Sequence, residues 1–206
     1  MLDVALIQET QRASVVETRP GRVQYPVPEW AKPVTPQCVV QEAGRQSLEL
    51  VKVLAVMKAE GGRLGEYSPN ANGSYDIGPM QVNTIHLPEL SRMYGIPESA
   101  VSNLLGYDGC FNVAVGAWLL HKRTNEAAGD FWYGIGRYHS AAKPDRNRYI
   151  LRVHRIMVGI VNAQKNSGRK GLASASRPAA RKLVSLPDKH ARSNAEHPSA
   201  RSAQMS

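Results

Sequence analysis

Apolar residues recur at three-residue steps through Leu48, Val51, Leu54 and Met57, and this stripe predicts a helix over Gln41 to Ala59. Gly61 and Gly62 follow and predict its stop, which leaves Glu60 at the helix end. The period is lost over Arg63 to Ile77, a stretch rich in Gly, Asn, Ser and Tyr. Its Asn72-Gly73 dipeptide marks a turn, so a loop or small β-ribbon is expected. Helical patterning resumes at Leu87 to Tyr94, at Pro97 to Leu105 with proline in the first turn, at Cys110 to Asn125, at Asp130 to Ser140 and at Pro144 to Asn166. In the last of these Ile150, Val153, Met157 and Ile160 share one face, a packing surface. The flanks carry no such pattern. Pro20, Pro26, Pro28, Pro33 and Pro36 interrupt hydrogen bonding before residue 38 and predict an extended arm. From Gly168 onward Ser, Ala, Arg and Lys dominate, with too little apolar surface to offset the entropy of ordering. The expected fold class is therefore α+β and predominantly helical. One domain over residues 38–166 carries a small β-ribbon, between a Pro-rich arm (1–37) and a basic disordered tail (167–206).

A chain of 206 residues with 42% apolar content suits one ordinary core. The net charge of +9 changes the picture less than its sum suggests. Residues 167–206 hold eight basic groups against two acidic, whereas residues 38–166 are nearly balanced. A basic tail attracts any polyanion, so it names no particular partner, and no specific nucleic acid is expected. No apolar run approaches the roughly 20 residues that cross a bilayer. Near the start the longest apolar run is Val4 to Ile7, so no secretory signal pattern is apparent. The two cysteines, Cys38 and Cys110, permit one disulfide and do not demand it; two buried thiols fit the spacing equally well.

Candidate chemistry centres on Glu60. A carboxyl group at the end of an apolar helix, facing a polar ribbon, sits where burial raises its pKa, so it can donate a proton near neutral pH and accept one afterwards. A glutamic acid raised to about 6 by apolar surroundings is able to act as a general acid in this way. The bland reading is a surface residue at a helix end. The stretches Met57-Lys58-Ala59-Glu60-Gly61-Gly62 and Gly73-Ser74-Tyr75-Asp76-Ile77-Gly78-Pro79-Met80-Gln81-Val82-Asn83 shift the balance. Together they resemble the core of the soluble lytic transglycosylases, enzymes of lysozyme-like fold. Gly136-Arg137-Tyr138-His139 stands where that family shows Ala-Tyr-Asn, and Tyr149 to Ile156 is similar to its closing Tyr-Val-x-x-Val helix. The resemblance covers about Cys38 to Met157 and is nearest to the small members associated with secretion, conjugation and pili. Three departures stand out: Gly61 for Ser, Pro79 for Leu and His139 for Asn.

The resemblance implies a peptidoglycan lytic transglycosylase that needs one carboxylate and no cofactor or metal. Glu60 is then the catalytic acid and base, and Gln81, Tyr138, Met80, Asn83 and His139 are the glycan-binding residues. It also implies a Cys38–Cys110 disulfide, since relatives place a cysteine at the opening of the first helix and another in an element like Cys110 to Trp118. Peptidoglycan strands are the expected partner, with secretion or conjugation machinery beside them, and the periplasm or cell envelope is the expected location. Asp76 is the one acidic residue of the ribbon available as a second carboxylate, against its reading as a turn-stabilising aspartate. Trp118, Trp132 and Tyr133 read as core at helical spacing, against a role in stacking on sugars. Gly134-Ile135-Gly136 reads as small residues for helix packing rather than a nucleotide loop. A hydrolytic muramidase or phage lysin, a catalytically weak glycan-binding assembly protein, and a nucleic-acid binder through the tail are the competing readings. Because every assigned site residue falls between Cys38 and Met157, a piece of roughly residues 36–166 is expected to suffice for cleavage.

Overall fold

The computed structural model describes residues 16–19 and 21–175. What the sequence predicts for residues 1–15 and 176–206, most of the basic tail included, lies outside the described residues. Contacts divide the chain into two units, Met1–Gly168 and Arg169–Ser206. The sheet and the core belong to the first.

Two helices stand where the stripe predicts one. Helix α1 spans Pro36–Arg45 and helix α2 spans Leu50–Glu60. Thr35 caps α1, its hydroxyl oxygen accepting from the Cys38 amide at 3.2 Å, and Pro36 fills the first turn, where its missing N–H costs nothing. The break follows from a left-handed residue, Ser47, at φ 52°. The Ser47 amide donates to Gly44 and the Leu48 amide to Ala43, the paired bonds of a Schellman ending. Apolar spacing runs through this interruption, which is why periodicity alone hides it. The buried positions of α2 are Val53, Ala55, Val56 and Ala59, while Leu54 and Met57 of the expected stripe are only partly buried against the core.

The polar segment after α2 forms the predicted ribbon within a larger sheet. Strands β1 (Val16–Arg19), β2 (Arg22–Gln24), β3 (Glu66–Pro69), β4 (Tyr75–Ile77) and β5 (Val82–Asn83) make one antiparallel sheet in sequential order. Gly73, at φ 81°, closes the β3–β4 hairpin, its amide donating to Asn70 at 3.0 Å. The first two strands come from the segment expected to be an extended arm. Pro26, Pro28 and Pro33 are compatible with this because they fall outside the paired positions. Farther along, the arm stays attached: the Lys32 amide donates to Tyr107 at 2.8 Å and the Gly109 amide donates back to Lys32 at 2.7 Å.

A 3₁₀ turn, Thr84–His86, leads into α3 (Leu87–Tyr94), followed by α4 (Glu98–Tyr107), α5 (Gly109–Glu126), α6 (Phe131–His139) and α7 (Lys143–Ala175). All five helices lie where the sequence predicts them, and α7 continues past the expected end at Asn166. Asp108 and Asp130 cap α5 and α6, their carboxylates accepting from the third residue on. Helix α5 is the axis of the core, burying Val113, Val115, Ala117, Leu119 and Leu120. Tyr149 and Val153 of α7 are buried, with Ile150, Met157 and Ile160 packed beside them, so the expected face is the packing face. A disulfide joins Cys38 to Cys110, with 5.7 Å between their Cα atoms, and ties the start of α1 to the start of α5. Among the described residues no helix is long and apolar enough to cross a membrane.

Candidate active site

Helix α2 ends at Glu60 because Gly61 takes the left-handed conformation, φ 61°, and its amide closes back on Met57 at 3.0 Å. Glycine thus serves the helix end where the resembled lytic transglycosylases have serine. The partly buried Glu60 side chain points into an open cleft of about 280 Å³, lined by the ribbon on one side and by α6 on the other. Asp76, Gln81, Asn83, Arg137, Tyr138 and His139 share that cleft with it.

Burial is the main force on Glu60. It raises the carboxyl pKa from 4.5 to about 7, helped by the negative charge of Asp76 and opposed by a hydrogen bond from Tyr149 and by the charges of Arg152 and Arg22. Tyr149 donates its hydroxyl proton to Oε1 of Glu60. Its own pKa is pushed well above 10, by burial first and then by the neighbouring Glu60, so it remains a donor. His139 stacks flat on Tyr149, with ring centroids 4.3 Å apart and planes 8° from parallel. Burial lowers the His139 pKa, with Asp76 and Asp145 pulling it up and Arg152 down, so the imidazole is neutral at neutral pH. The histidine that departs from the family's asparagine therefore braces the tyrosine that holds Glu60.

The turn between β4 and β5 fixes the opposite wall. Asn112, fully buried on α5, accepts from the Met80 amide at 2.7 Å and donates to the carbonyls of Ile77 at 2.8 Å and Leu105 at 3.0 Å. Gly78, at φ 72°, lies so close that a Cβ there would sit 2.5 Å from the Asn112 amide nitrogen. Gln81 lines the cleft with both ends of its amide committed: Oε1 accepts from Ser68 at 2.6 Å and Nε2 donates to Gly78 at 2.9 Å. The Tyr138 hydroxyl donates to the Met80 carbonyl at 2.8 Å. Asn83 donates to Asp76 at 2.7 Å and to Ser74 at 3.1 Å, and caps the 3₁₀ turn through Ile85.

The structure thus gathers Glu60, Gln81, Asn83, Tyr138 and His139 around one cleft. Met80 does not belong with them. Its side chain is fully buried against Gly116, so it is a core residue, and only its carbonyl meets the site, by accepting from the Tyr138 hydroxyl. Asp76 combines its two readings: it accepts from Asn70 at 3.1 Å across the hairpin and from Asn83, yet it faces the cleft that holds Glu60. Trp118, Trp132 and Tyr133 lie outside the cleft; the two tryptophans pack on the core, beside Lys122 and beside Phe131 and His154, whereas Tyr133, expected as core, is exposed under the Arg146 guanidinium. Gly134 and Gly136 are helix-packing glycines, pressed on Thr124 and on Arg146 with Ile150. Sequence reasoning missed Tyr149 and Arg22 as neighbours of Glu60. Tyr149 heads the closing-helix motif, a signal that pointed to it; Arg22, 38 residues before Glu60 in a proline-rich stretch, carries none.

The protein is a predominantly helical α+β domain, as expected of a lysozyme-like fold, with a helix-end glutamic acid facing its polar ribbon. Among curated proteins the chain is similar to the invasion protein IagB of Salmonella typhimurium, 28% identical over 137 residues that span 63% of this chain and 82% of that protein. It is also similar to invasion protein IagB of Salmonella typhi, 30% identical over 111 residues, 53% of this chain and 66% of that protein. Among solved structures it is similar to an inactive variant of the lytic transglycosylase Slt from Pseudomonas aeruginosa, with a TM-score of 0.47 and 18% identity over 64% of this chain and 24% of that longer one. No family model matches the chain.

Proposed function

We propose that this protein is a peptidoglycan lytic transglycosylase that cleaves the bond between N-acetylmuramic acid and N-acetylglucosamine without water. The observation that carries the reading is Glu60 itself, a cleft carboxyl group raised to about 7 and held by Tyr149. At neutral pH such a group is populated in both protonation states, as a single acid and base requires. Glu60 gives its proton to the glycosidic oxygen as the C1–O bond breaks, and the substrate's acetamido group supports the charge that develops on the sugar, an exception to two-carboxylate chemistry. The Glu60 carboxylate then takes the proton of the muramyl 6-hydroxyl as that oxygen closes on C1, leaving a 1,6-anhydro end. Gln81 and Asn83 shape the cleft wall, and Tyr138 and His139 offer ring surface to the glycan.

The reading places the protein in the cell envelope, where its substrate lies. We read its role as local opening of the wall for a secretion-type machine, a reading that rests on the motif resemblance to small members associated with secretion; the similar curated proteins are named invasion proteins. A second reading, the hydrolytic muramidase, is favoured by Asp76. Two asparagine amides donate to its carboxylate in the Glu60 cleft, where a second carboxylate would stabilise an oxocarbenium ion. Mass analysis of the glycan ends released from purified peptidoglycan separates the two, because the lyase leaves anhydro ends and the hydrolase reducing ones.

A further inference from the structure

Arg22 lies on β2, in the segment that sequence patterning presents as an extended arm, and its guanidinium engages Glu66, the Glu60 carbonyl and, at 3.5 Å, the Gly61 carbonyl. Nη1 donates to Oε1 of Glu66, a side chain with no solvent exposure. Nη2 donates to the main-chain carbonyl of Glu60 at 3.2 Å. The first engagement answers an electrostatic need, since the other Glu66 oxygen, Oε2, is buried without a hydrogen-bond partner among the described residues and Arg22 is a cation beside the carboxylate. The second answers a need of the helix. Carbonyls of the last turn have no partner within the helix and carry the negative end of its dipole, so a cation donating there both satisfies and stabilises them.

The strand that brings Arg22 is itself firmly seated. Val23 and Gln24 are in register with Tyr67 and Glu66 of β3. The Gln24 side chain donates to Leu64 at 2.8 Å, and the Tyr25 amide donates to Gly65 at 2.8 Å. Arg22 is therefore held in place by the sheet rather than drawn in by Glu66 alone. We infer that Arg22 is a positioning residue for Glu60: by bridging the last carbonyl of α2 to buried Glu66 on β3, it fixes the helix end from which the catalytic carboxyl enters the cleft, and makes β2 part of the active site. The inference rests on the reading of Glu60 as the catalytic acid. Tyr149 then holds the carboxyl end of the same residue while Arg22 holds its backbone. The charge of Arg22 also opposes the rise in the Glu60 pKa, which gives its loss a signed consequence.

A purely structural role, in which Arg22 merely neutralises Glu66, is separable by a double substitution. Arg22→Met alone leaves Glu66 buried with no counter-charge and should unfold more easily. Arg22→Met combined with Glu66→Gln removes the orphan charge and should recover the thermal midpoint. Steady-state kinetics on short soluble glycan fragments, across pH, then decide the matter. The double variant is expected to lose at least about tenfold in kcat with KM little changed, within the range that small misplacements of a catalytic group cost. Its alkaline limb should move to higher pH, because a cation that favours the ionised Glu60 is gone. A double variant that folds with wild-type kcat and a wild-type pH profile would overturn the inference while leaving the enzymatic reading intact. Wild-type protein that releases no product from any glycan would overturn the enzymatic reading, and this inference with it.

Discussion

Glu60 is costly to the fold when it is ionised, and that cost is a measurable property of the residue. Its carboxyl group is raised from 4.5 to about 7, chiefly by burial. Between those two values the folded state holds a proton that the unfolded chain has released, so stability falls as pH rises through this window. Below about 4.5 both states are protonated and the penalty vanishes; above about 7 it is complete. Glu60→Gln should therefore be more stable than wild type at pH 8, by at most about 3 kcal/mol, with the difference closing by pH 4. Thermal unfolding of both proteins at the two pH values reads this without any substrate. Equal midpoints at pH 8 would mean that Glu60 is solvated like an ordinary surface carboxylate. The same shift sets the catalytic limb: activity that needs the protonated acid should decline as pH rises through about 7. Legibility varied sharply at this scale. Glu60 was legible as a carboxyl group at an apolar helix end, and the roles of the ribbon residues only through the motif resemblance. The burial of Met80 was hidden, because a Gly-x-Met-Gln turn gives no sign of which side chain faces inward; that depends on Gly116 of a helix far along the chain.

The elements themselves were mostly visible, since amphipathic periods, helix caps and the Asn72-Gly73 turn are written into short windows of sequence. The split of the first helix was not, because Ser47 ends α1 in a conformation usually left to glycine. Nor was the membership of β1 and β2 in the sheet, which depends on pairing between distant parts of the chain, Val23 with Tyr67. The pairing of Cys38 with Cys110 is the strongest single constraint between elements, closing a separation of 72 residues. A loop of this size contributes about 4 kcal/mol in the chain-entropy picture. Denaturant unfolding of oxidised protein against a Cys38→Ala/Cys110→Ala variant should show a loss of that order. Matching midpoints, or two freely alkylated thiols in protein folded under oxidising conditions, would contradict the bridge and with it the case for an oxidising compartment.

For the molecule as a whole, the two flanks are not equivalent. A piece of residues 36–166, the one expected to suffice for cleavage, lacks Arg22, the cation that engages buried Glu66 and the last turn of α2, and we propose that it falls short for that reason. Removing residues 1–35 should destabilise the domain and abolish turnover. Removing residues 176–206 should leave turnover on short soluble fragments unchanged, while weakening retention on anionic wall or membrane surfaces at low salt, where screening is least. Kinetics and a salt series on the two truncations check both halves. Full turnover after the first truncation, or lost turnover after the second, would contradict this division.

The central claim is that one carboxyl group cuts the glycan and that the substrate's own 6-hydroxyl, not water, completes the reaction. Digestion of purified peptidoglycan by the wild-type chain and by Glu60→Gln, followed by mass analysis of the released muropeptides, tests both parts together. The expected result is 1,6-anhydro-muramyl ends from the wild type and at least about a 100-fold lower yield from the variant, the lower range for losing a general acid or base. Reducing ends carrying an added water, or equal release by Glu60→Gln, would contradict it.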